Sequence, residues 1–528
     1  MARCLRLLPF LLLGAAVLPA TLSAQCRDGY WEPGFDHDMS GFQYSRGDRF
    51  IAVHASLVPK GPHRGEILVW NYYGNQPQTR WIQAWSLVDV SGPGPASFTN
   101  GELLLPGGEG DLFCAGHAWT AEGDLFVAGG TMIYEEEGHH AWIGGRLAFL
   151  YRPDQGTDGD WERQPDLLLP RWYPTVTMLA DGRMLVSGGL LNGQTISDNY
   201  EVFDPATGLW EAVPGVGRVF DPPPVGTLDL YPRMHLLSDG TVFQSGMAPE
   251  GNLLDHLAGP GTWTFLDRQW MDWRSYGTSV LYPDPRSGQD LVLAIGGEGF
   301  LQGHTIWPMN DVSYILPGSA SPQWRTGPPL NHARMLQNAA ILPNGEILVV
   351  GGRSNPWYQA DGEWVLIPEI LDPETGVWRE AAAHASPRDY HSVLLLLPDG
   401  RVLAAGGEAR TTDYQIYVPG YLACGAPRPE ILGLSSDLWL YGESPSVDYE
   451  DASAADPVAR AVLLRPGSAT HHFDQDLRYR PLEIQLQGNG SLTVQVPASP
   501  AALPPGYYML FLVSEGGIPS VAEWVLVQ

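Results

Sequence analysis

Four positions in this chain combine a fixed spacing with side chains able to bind a metal or be oxidised. Cys114, Tyr173, Tyr231 and His391 each stand nine residues before a glycine (Gly123, Gly182, Gly240 and Gly400), and Tyr390 immediately precedes His391. Thiol, phenol and imidazole are donors for a transition metal, and nitrogen and oxygen donors in a tetragonal arrangement favour copper. Taken singly, each has a plainer reading. Tyr is common in strands, where its hydroxyl is simply hydrogen-bonded, and a lone His beside a strand is usually structural. The shared offset shifts that balance if the segments carrying it are equivalent parts of one ring.

A repeat supplies the ring. An apolar strand, a Gly-containing turn and a second apolar strand recur as "RGEILVWN" (64–71), "EGDLFVAGG" (122–130), "DGRMLVSGG" (181–189), "DGTVFQSG" (239–246), "QDLVLAIGG" (289–297), "NGEILVVGG" (344–352) and "DGRVLAAGG" (399–407). A Trp trails most of them, as in "GDWER", "TGLWEA" and "TGVWRE". Asp-Gly or Asn-Gly between apolar runs is a strong hairpin signal. A period of roughly 50–60 residues lies in the range of kelch-like blades. The expected architecture is all-β: a seven-bladed kelch-like β-propeller. Nine residues before the hairpin Gly is where each innermost strand begins, so the Cys, Tyr and His positions gather at one mouth of the channel. Successive residues of a regular strand face opposite ways. Tyr390 and His391 can therefore serve one ion only if the backbone is irregular there.

From about Arg428 the Gly-Gly phrase is gone. "ARAVLLRPG", "PLEIQLQ", "SLTVQVPA", "GYYMLFLVS" and "VAEWVLVQ" read as closely spaced strands of an Ig-like C-terminal β-sandwich. Arg3 and Arg6 ahead of the short apolar run Leu7–Val17, with small residues through Ala24, read as a secretory signal peptide. The expected division is signal peptide 1–25, propeller 26–427 and sandwich 428–528. Export to the extracellular space or the periplasm follows, with no membrane span. A formal charge of −29 argues against nucleic acid and anionic membranes as partners. Of the four cysteines, Cys4 leaves with the signal, and three in an oxidising compartment leave one over. Cys26 opens the mature chain and Cys424 lies between the two modules, so a Cys26–Cys424 disulfide is expected. Cys114 is then free, paired between chains, or modified.

With these motifs in hand, the chain resembles the copper radical oxidases: galactose oxidase, glyoxal oxidase and their bacterial relatives. "LFCAGHAW", "RWYPTVTMLADGRMLVSGG" and "DYHSVLLLLPDGRVLAAGG" are similar to the family's site-bearing strands. "LLRPGSATHHFDQDLRYRPLEIQ" and "PPGYYMLFLVSEGGIPSVAEWVLV" are similar to its terminal domain. The resemblance implies a thioether between Cys114 and the ring of Tyr173, forming a protein-derived radical cofactor. It implies copper held by Tyr173, Tyr390 (axial, and the base), His391 and, within Ala-Thr-His, His471 rather than His472. The implied activity is oxidation of a primary alcohol or small aldehyde by dioxygen, with release of hydrogen peroxide, by a monomer.

One position departs from the pattern. Galactose-oxidising members stack a Trp over the cross-link two residues beyond the Gly-Gly, where this chain has Leu191. Trp119, His117, Tyr72 and Tyr73 are the candidates to replace it. Arg353, after the sixth Gly-Gly, is either a substrate contact, for a carboxylate or hydrated aldehyde, or an exposed loop residue. Tyr231 is a further candidate substrate contact. "RWYP" and "LYPRMHLL" lean toward glyoxal oxidase. Two rival readings are a non-catalytic secreted propeller that binds glycan or protein, and an oxidase scaffold that binds copper without forming the radical efficiently.

Overall fold

A computed structural model describes residues 26–42, 50–71, 80–92, 94–106, 109–133, 142–192, 195–197, 199–212, 230–245, 250–256, 261–268, 273–301, 304–355, 363–408 and 412–528. The signal-peptide segment 1–25 and the aromatic pair Tyr72–Tyr73 lie outside them. Seven antiparallel sheets form the blades of the propeller. Their innermost strands, blade 1 to blade 7, are His54–Leu57, Asp111–Trp119, Thr175–Met178, Arg233–Leu236, Thr278–Pro283, Met335–Ile341 and Ser392–Leu396. Blade 7 closes the ring by borrowing an outer strand from the other end of the propeller: Tyr30–Trp31 pairs with Asp413–Val418. The expected Cys26–Cys424 disulfide is present beside this closure.

The start of the inner strand is irregular in a repeated way in blades 2 to 7. Cys114, Tyr173, Tyr231, Tyr276, Leu336 and His391, from six successive blades, all have positive φ, between 47° and 66°. The left-handed region costs a non-glycine residue about 1–2 kcal/mol. Backbone hydrogen bonds running around the channel offset that cost. Tyr173 N–H donates to the Cys114 carbonyl (3.0 Å), Tyr231 N–H to that of Tyr173 (2.6 Å) and Leu336 N–H to that of Tyr276 (2.8 Å).

The Gly-Gly pairs serve the same interlock. A Cβ on Gly351 (φ 76°) would stand 2.1 Å from the Arg388 carbonyl oxygen of the next blade. Buried arginines complete it. Arg171 pairs with Glu201 (2.9 Å), Arg334 with Glu369 (2.7 Å) and Arg388 with Asp413 (3.2 Å). Each also donates to the first carbonyl of a Gly-Gly pair: Gly188, Gly351 and Gly406.

The C-terminal part is an eight-stranded antiparallel arrangement that curls on itself, with one parallel edge pair. Its own core includes Trp439, Val447, Leu463, Leu492, Leu510 and Val525. One hairpin leaves it for the propeller channel. Ser468–Thr470 pairs antiparallel with the inner strand of blade 1, His54 opposite Thr470. Thr470 pairs with Phe473, so His471 and His472 form the two-residue turn, both at positive φ (46° and 70°). Asn-Gly is the usual occupant of such a turn.

The chain on either side of this hairpin satisfies inner-strand backbone groups that face the channel. Gln475 Oε1 accepts the N–H of Val176 (2.8 Å), and Asp476 Oδ2 accepts that of Trp119 (2.7 Å). Arg465, paired to Asp476 at 2.9 Å, donates to the Trp119 carbonyl at 2.7 Å. Among the described residues, no helix is long and apolar enough to cross a membrane.

Candidate metal centre

The left-handed ring and the turn bring the predicted residues to one place. Tyr173, Tyr390, His391 and His471 all line a cavity of about 590 Å³ at the mouth of the channel. The Tyr173 and Tyr390 hydroxyls are in hydrogen-bond contact. The His471 ring centroid lies 4.5 Å from that of Tyr173 and 4.6 Å from that of His391, and the Tyr390 and His391 rings are 4.0 Å apart. Positive φ at His391 (65°) is the irregularity that lets two adjacent residues face one centre. Cys114 is fully buried, its Sγ 4.0 Å from His471 Nε2. His472, the other histidine of the turn, stacks on Tyr390 at 5.7 Å.

Hydrogen bonds place a proton on one nitrogen of His391 and of His471. The Thr470 hydroxyl donates to the Val53 carbonyl (3.0 Å) and so must accept from His471 Nδ1–H (2.7 Å). The Glu408 carboxylate accepts from His391 Nδ1–H at 2.5 Å. Each bond places a proton on Nδ1, which leaves Nε2 as the nitrogen on offer to a metal, oriented by a partner on the far nitrogen. Burial pushes the Tyr173 and Tyr390 phenols and the Cys114 thiol well above their ordinary pKa values, and pulls His471 well below its own. Phenols so placed ionise only beside a cation, and two imidazoles with two phenols form a nitrogen and oxygen donor set that suits a divalent copper ion. Among the described residues no three His, Cys, Asp or Glu side chains form a metal cluster. The set is complete only when the phenols are counted.

Among the described residues, the ring that lies closest over Tyr173 is neither Trp119 nor His117. Trp172, the preceding residue, lies over Tyr173 at 3.9 Å and 15°, and Trp142 stacks on Trp172 at 4.9 Å. Leu191 is half-buried in a turn, its N–H bonded to the Thr195 carbonyl, and does not line the cavity. Trp119 belongs to the core between blades, and His117 is buried behind the site. Tyr231 stacks on Tyr173 at 4.7 Å, and its hydroxyl donates to the Ala115 carbonyl (2.9 Å). Arg353, only 9% exposed, lines the cavity, so the surface-loop alternative does not hold.

Three site features escaped the sequence reading: Trp172, Glu408 and Arg233. Arg233 donates to the carbonyls of Tyr231 (2.9 Å), Gly277 (3.0 Å) and His471 (3.3 Å), and so ties the turn to blades 4 and 5. Glu408 had a signal, since it directly follows the Gly-Gly after His391.

Comparison with known proteins agrees with the geometry. Residues 109–421 match the family model described as glyoxal oxidase N-terminus, and residues 428–527 match the galactose oxidase-like early set domain. A galactose oxidase of Gibberella zeae is 26% identical over 485 residues, 88% of this chain and 68% of that protein. An aldehyde oxidase of Arabidopsis thaliana is 28% identical over 419 residues, 69% of this chain and 65% of that protein. A fungal alcohol oxidase solved in complex with copper superposes with a TM-score of 0.75 at 26% identity, covering 94% of this chain and 99% of that one. The lean toward glyoxal oxidase is thus not sustained: the propeller matches a glyoxal oxidase model, while galactose and aldehyde oxidases are similarly distant. With its propeller and terminal domain both matched, and a copper-bound structural relative over nearly its full length, the chain belongs to the copper radical oxidase family.

Proposed function

We propose that the chain is a secreted oxidase that converts a primary alcohol to an aldehyde, or a hydrated small aldehyde to an acid, while reducing dioxygen to hydrogen peroxide. The observation that carries this reading is the convergence of Tyr173, Tyr390, His391 and His471 with both histidines holding a proton on Nδ1. A non-catalytic binding platform leaves that arrangement unexplained. Tyr173, Tyr390, His391 and His471 would hold copper, which supplies Lewis acidity toward the buried phenols and takes up one of the two electrons removed from substrate.

The protein's own groups do the rest. Tyr390, joined to Tyr173 through the hydroxyls, takes the substrate hydroxyl proton as general base. A thioether from Cys114 makes the Tyr173 ring easier to oxidise, so that it stores one oxidising equivalent and takes a hydrogen atom from the substrate carbon. Trp172 covers that ring against water. Phe113, Trp142 and Tyr276 give the cavity aromatic walls suited to a compact substrate, and Arg353 on blade 6 offers a contact for a carboxylate or gem-diol.

The test is peroxide release from copper-loaded protein in air across a panel of alcohols and aldehydes, together with intact mass. A loss of two hydrogens that disappears in Cys114→Ala, with substrate-dependent peroxide, is expected. Absence of peroxide with every substrate would overturn the reading.

A further inference from the structure

Behind the site lies a chain of buried polar groups that the proposed reaction does not use. His54, His117, Ser56 and Ser468 are each 0% exposed. Its direction is set by a group that can only donate: the backbone N–H of Cys114 donates to His54 Nε2 at 3.1 Å. His54 must then carry its proton on Nδ1, which donates to His117 Nε2 at 3.1 Å. His117 in turn carries its proton on Nδ1, which donates to Ser468 Oγ at 2.6 Å. Ser468 Oγ also lies 2.9 Å from Ser56 Oγ. Trp70 packs parallel to the His54 ring at 4.7 Å and edge-on to His117 at 4.6 Å, so neither imidazole can swing.

The chain spans three elements. His54 is on blade 1 and Cys114 and His117 on blade 2, while Ser468 is on the terminal-domain hairpin that carries His471. Both backbone polar groups of Cys114 are thereby held: its N–H by His54 and its carbonyl by the Tyr173 N–H at 3.0 Å. Those two bonds hold Cys114 at a φ of 64°. A buried relay whose direction is determined from Cys114 through His54 and His117 to Ser468 positions its end group closely, and a strained backbone position persists only where its surroundings over-determine it.

We propose that His54 is a positioning residue for thioether formation: it holds the Cys114 backbone so that Sγ is aimed at the Tyr173 ring, and through His117 and Ser468 it makes that aim depend on the terminal-domain hairpin being seated. This rests on the oxidase reading above. The bond formed is Sγ to a ring carbon of Tyr173. The S–H and one ring C–H break, and the two protons and two electrons pass to dioxygen, giving hydrogen peroxide.

The experiment follows the loss of two hydrogens by intact mass after cupric ion is added in air to metal-free full-length protein. His54→Leu removes the acceptor at nearly constant volume and is expected to slow the loss at least tenfold. His54→Gln places Oε1 where Nε2 stood and is expected to stay within about threefold of the unmodified chain. A structural role alone would lower the thermal midpoint of both variants and leave the rate per folded molecule unchanged. A His54→Leu rate equal to that of the unmodified chain would overturn the proposal, as would a His54→Gln rate as slow as that of His54→Leu. Should His54→Leu not fold, Ser468→Ala gives the reading at the far end of the relay: at least threefold slowing is expected, and an unchanged rate would overturn it. If the unmodified chain itself loses no hydrogens, it is the oxidase reading that fails.

Discussion

The indole of Trp172 lies 3.9 Å from the ring of Tyr173, within 15° of parallel, although the two residues are neighbours in the chain. A positive φ of 65° at Tyr173 makes this possible, since in a regular strand the two side chains would point apart. Stacked aromatic pairs contribute about 0.5–1.5 kcal/mol beyond area burial. Trp172→Leu is therefore expected to lower turnover up to about tenfold and to shorten the lifetime of the oxidised ring. Stopped-flow decay of the radical absorbance under nitrogen, with kcat measured in parallel, checks this.

The level of the site was readable because a propeller turns a sequence offset into a height. Cys114, Tyr173, Tyr231 and His391 share one spacing to a hairpin glycine, and all four have the same left-handed backbone in the structure. Other features gave weaker signals. Trp172 adjoins Tyr173, and an alternating strand would aim it away; only the left-handed turn reverses that. Arg171, Arg274 and Arg334 each precede a left-handed residue by two positions, a repeat that was visible, but their carboxylate partners, Glu201, Asp311 and Glu369, lie 30 or more positions further along the chain. The choice of His471 over its neighbour came from the family resemblance. The turn that orients His471 has hydrogen bonds to blade 1 that exist only once the hairpin enters the channel.

Glu408 holds a proton on His391 Nδ1 through a 2.5 Å hydrogen bond. Outer partners of this kind are typically worth about 10–100-fold in metal affinity. Glu408→Gln is expected to weaken copper binding within that range while leaving the fold unchanged, as read by competition with a chelator. Glu408→Ala should weaken it further, because no side-chain acceptor then faces Nδ1–H.

Asp474 follows the turn and is half-buried, and desolvation pushes its carboxyl up to about 7. Backbone N–H groups of Ser468 (2.8 Å) and Asp476 (3.0 Å) donate to its Oδ1. An acid whose folded pKa is raised binds more protons folded than unfolded. Its ionisation therefore costs stability as pH rises from the ordinary carboxylate range to about 7, and the cost is constant above that. Asp474→Asn keeps an oxygen acceptor and removes the charge. It is expected to be more stable than the unmodified chain at pH ~8, by on the order of a few kcal/mol, and the gap should close as pH falls toward ~4. Urea midpoints taken across that range check both the sign and the window.

Tyr390 has two roles that one substitution can separate. Its ring packs on His391 at 4.0 Å and edge-on to Tyr276 at 6.2 Å, and its hydroxyl meets that of Tyr173. Tyr390→Phe keeps the ring contacts and deletes only the oxygen. Because buried Tyr173 and His391 retain their own neighbours, the fold and most copper affinity should survive. Positioned general bases contribute about 10²–10⁴-fold, so kcat is expected to fall within that range. KM should change little, because the cavity walls that bind the body of the substrate are untouched. If the hydroxyl instead mainly binds substrate, KM rises and kcat holds. Steady-state kinetics on the best substrate of the panel, paired with the copper content of each preparation, distinguishes the two outcomes.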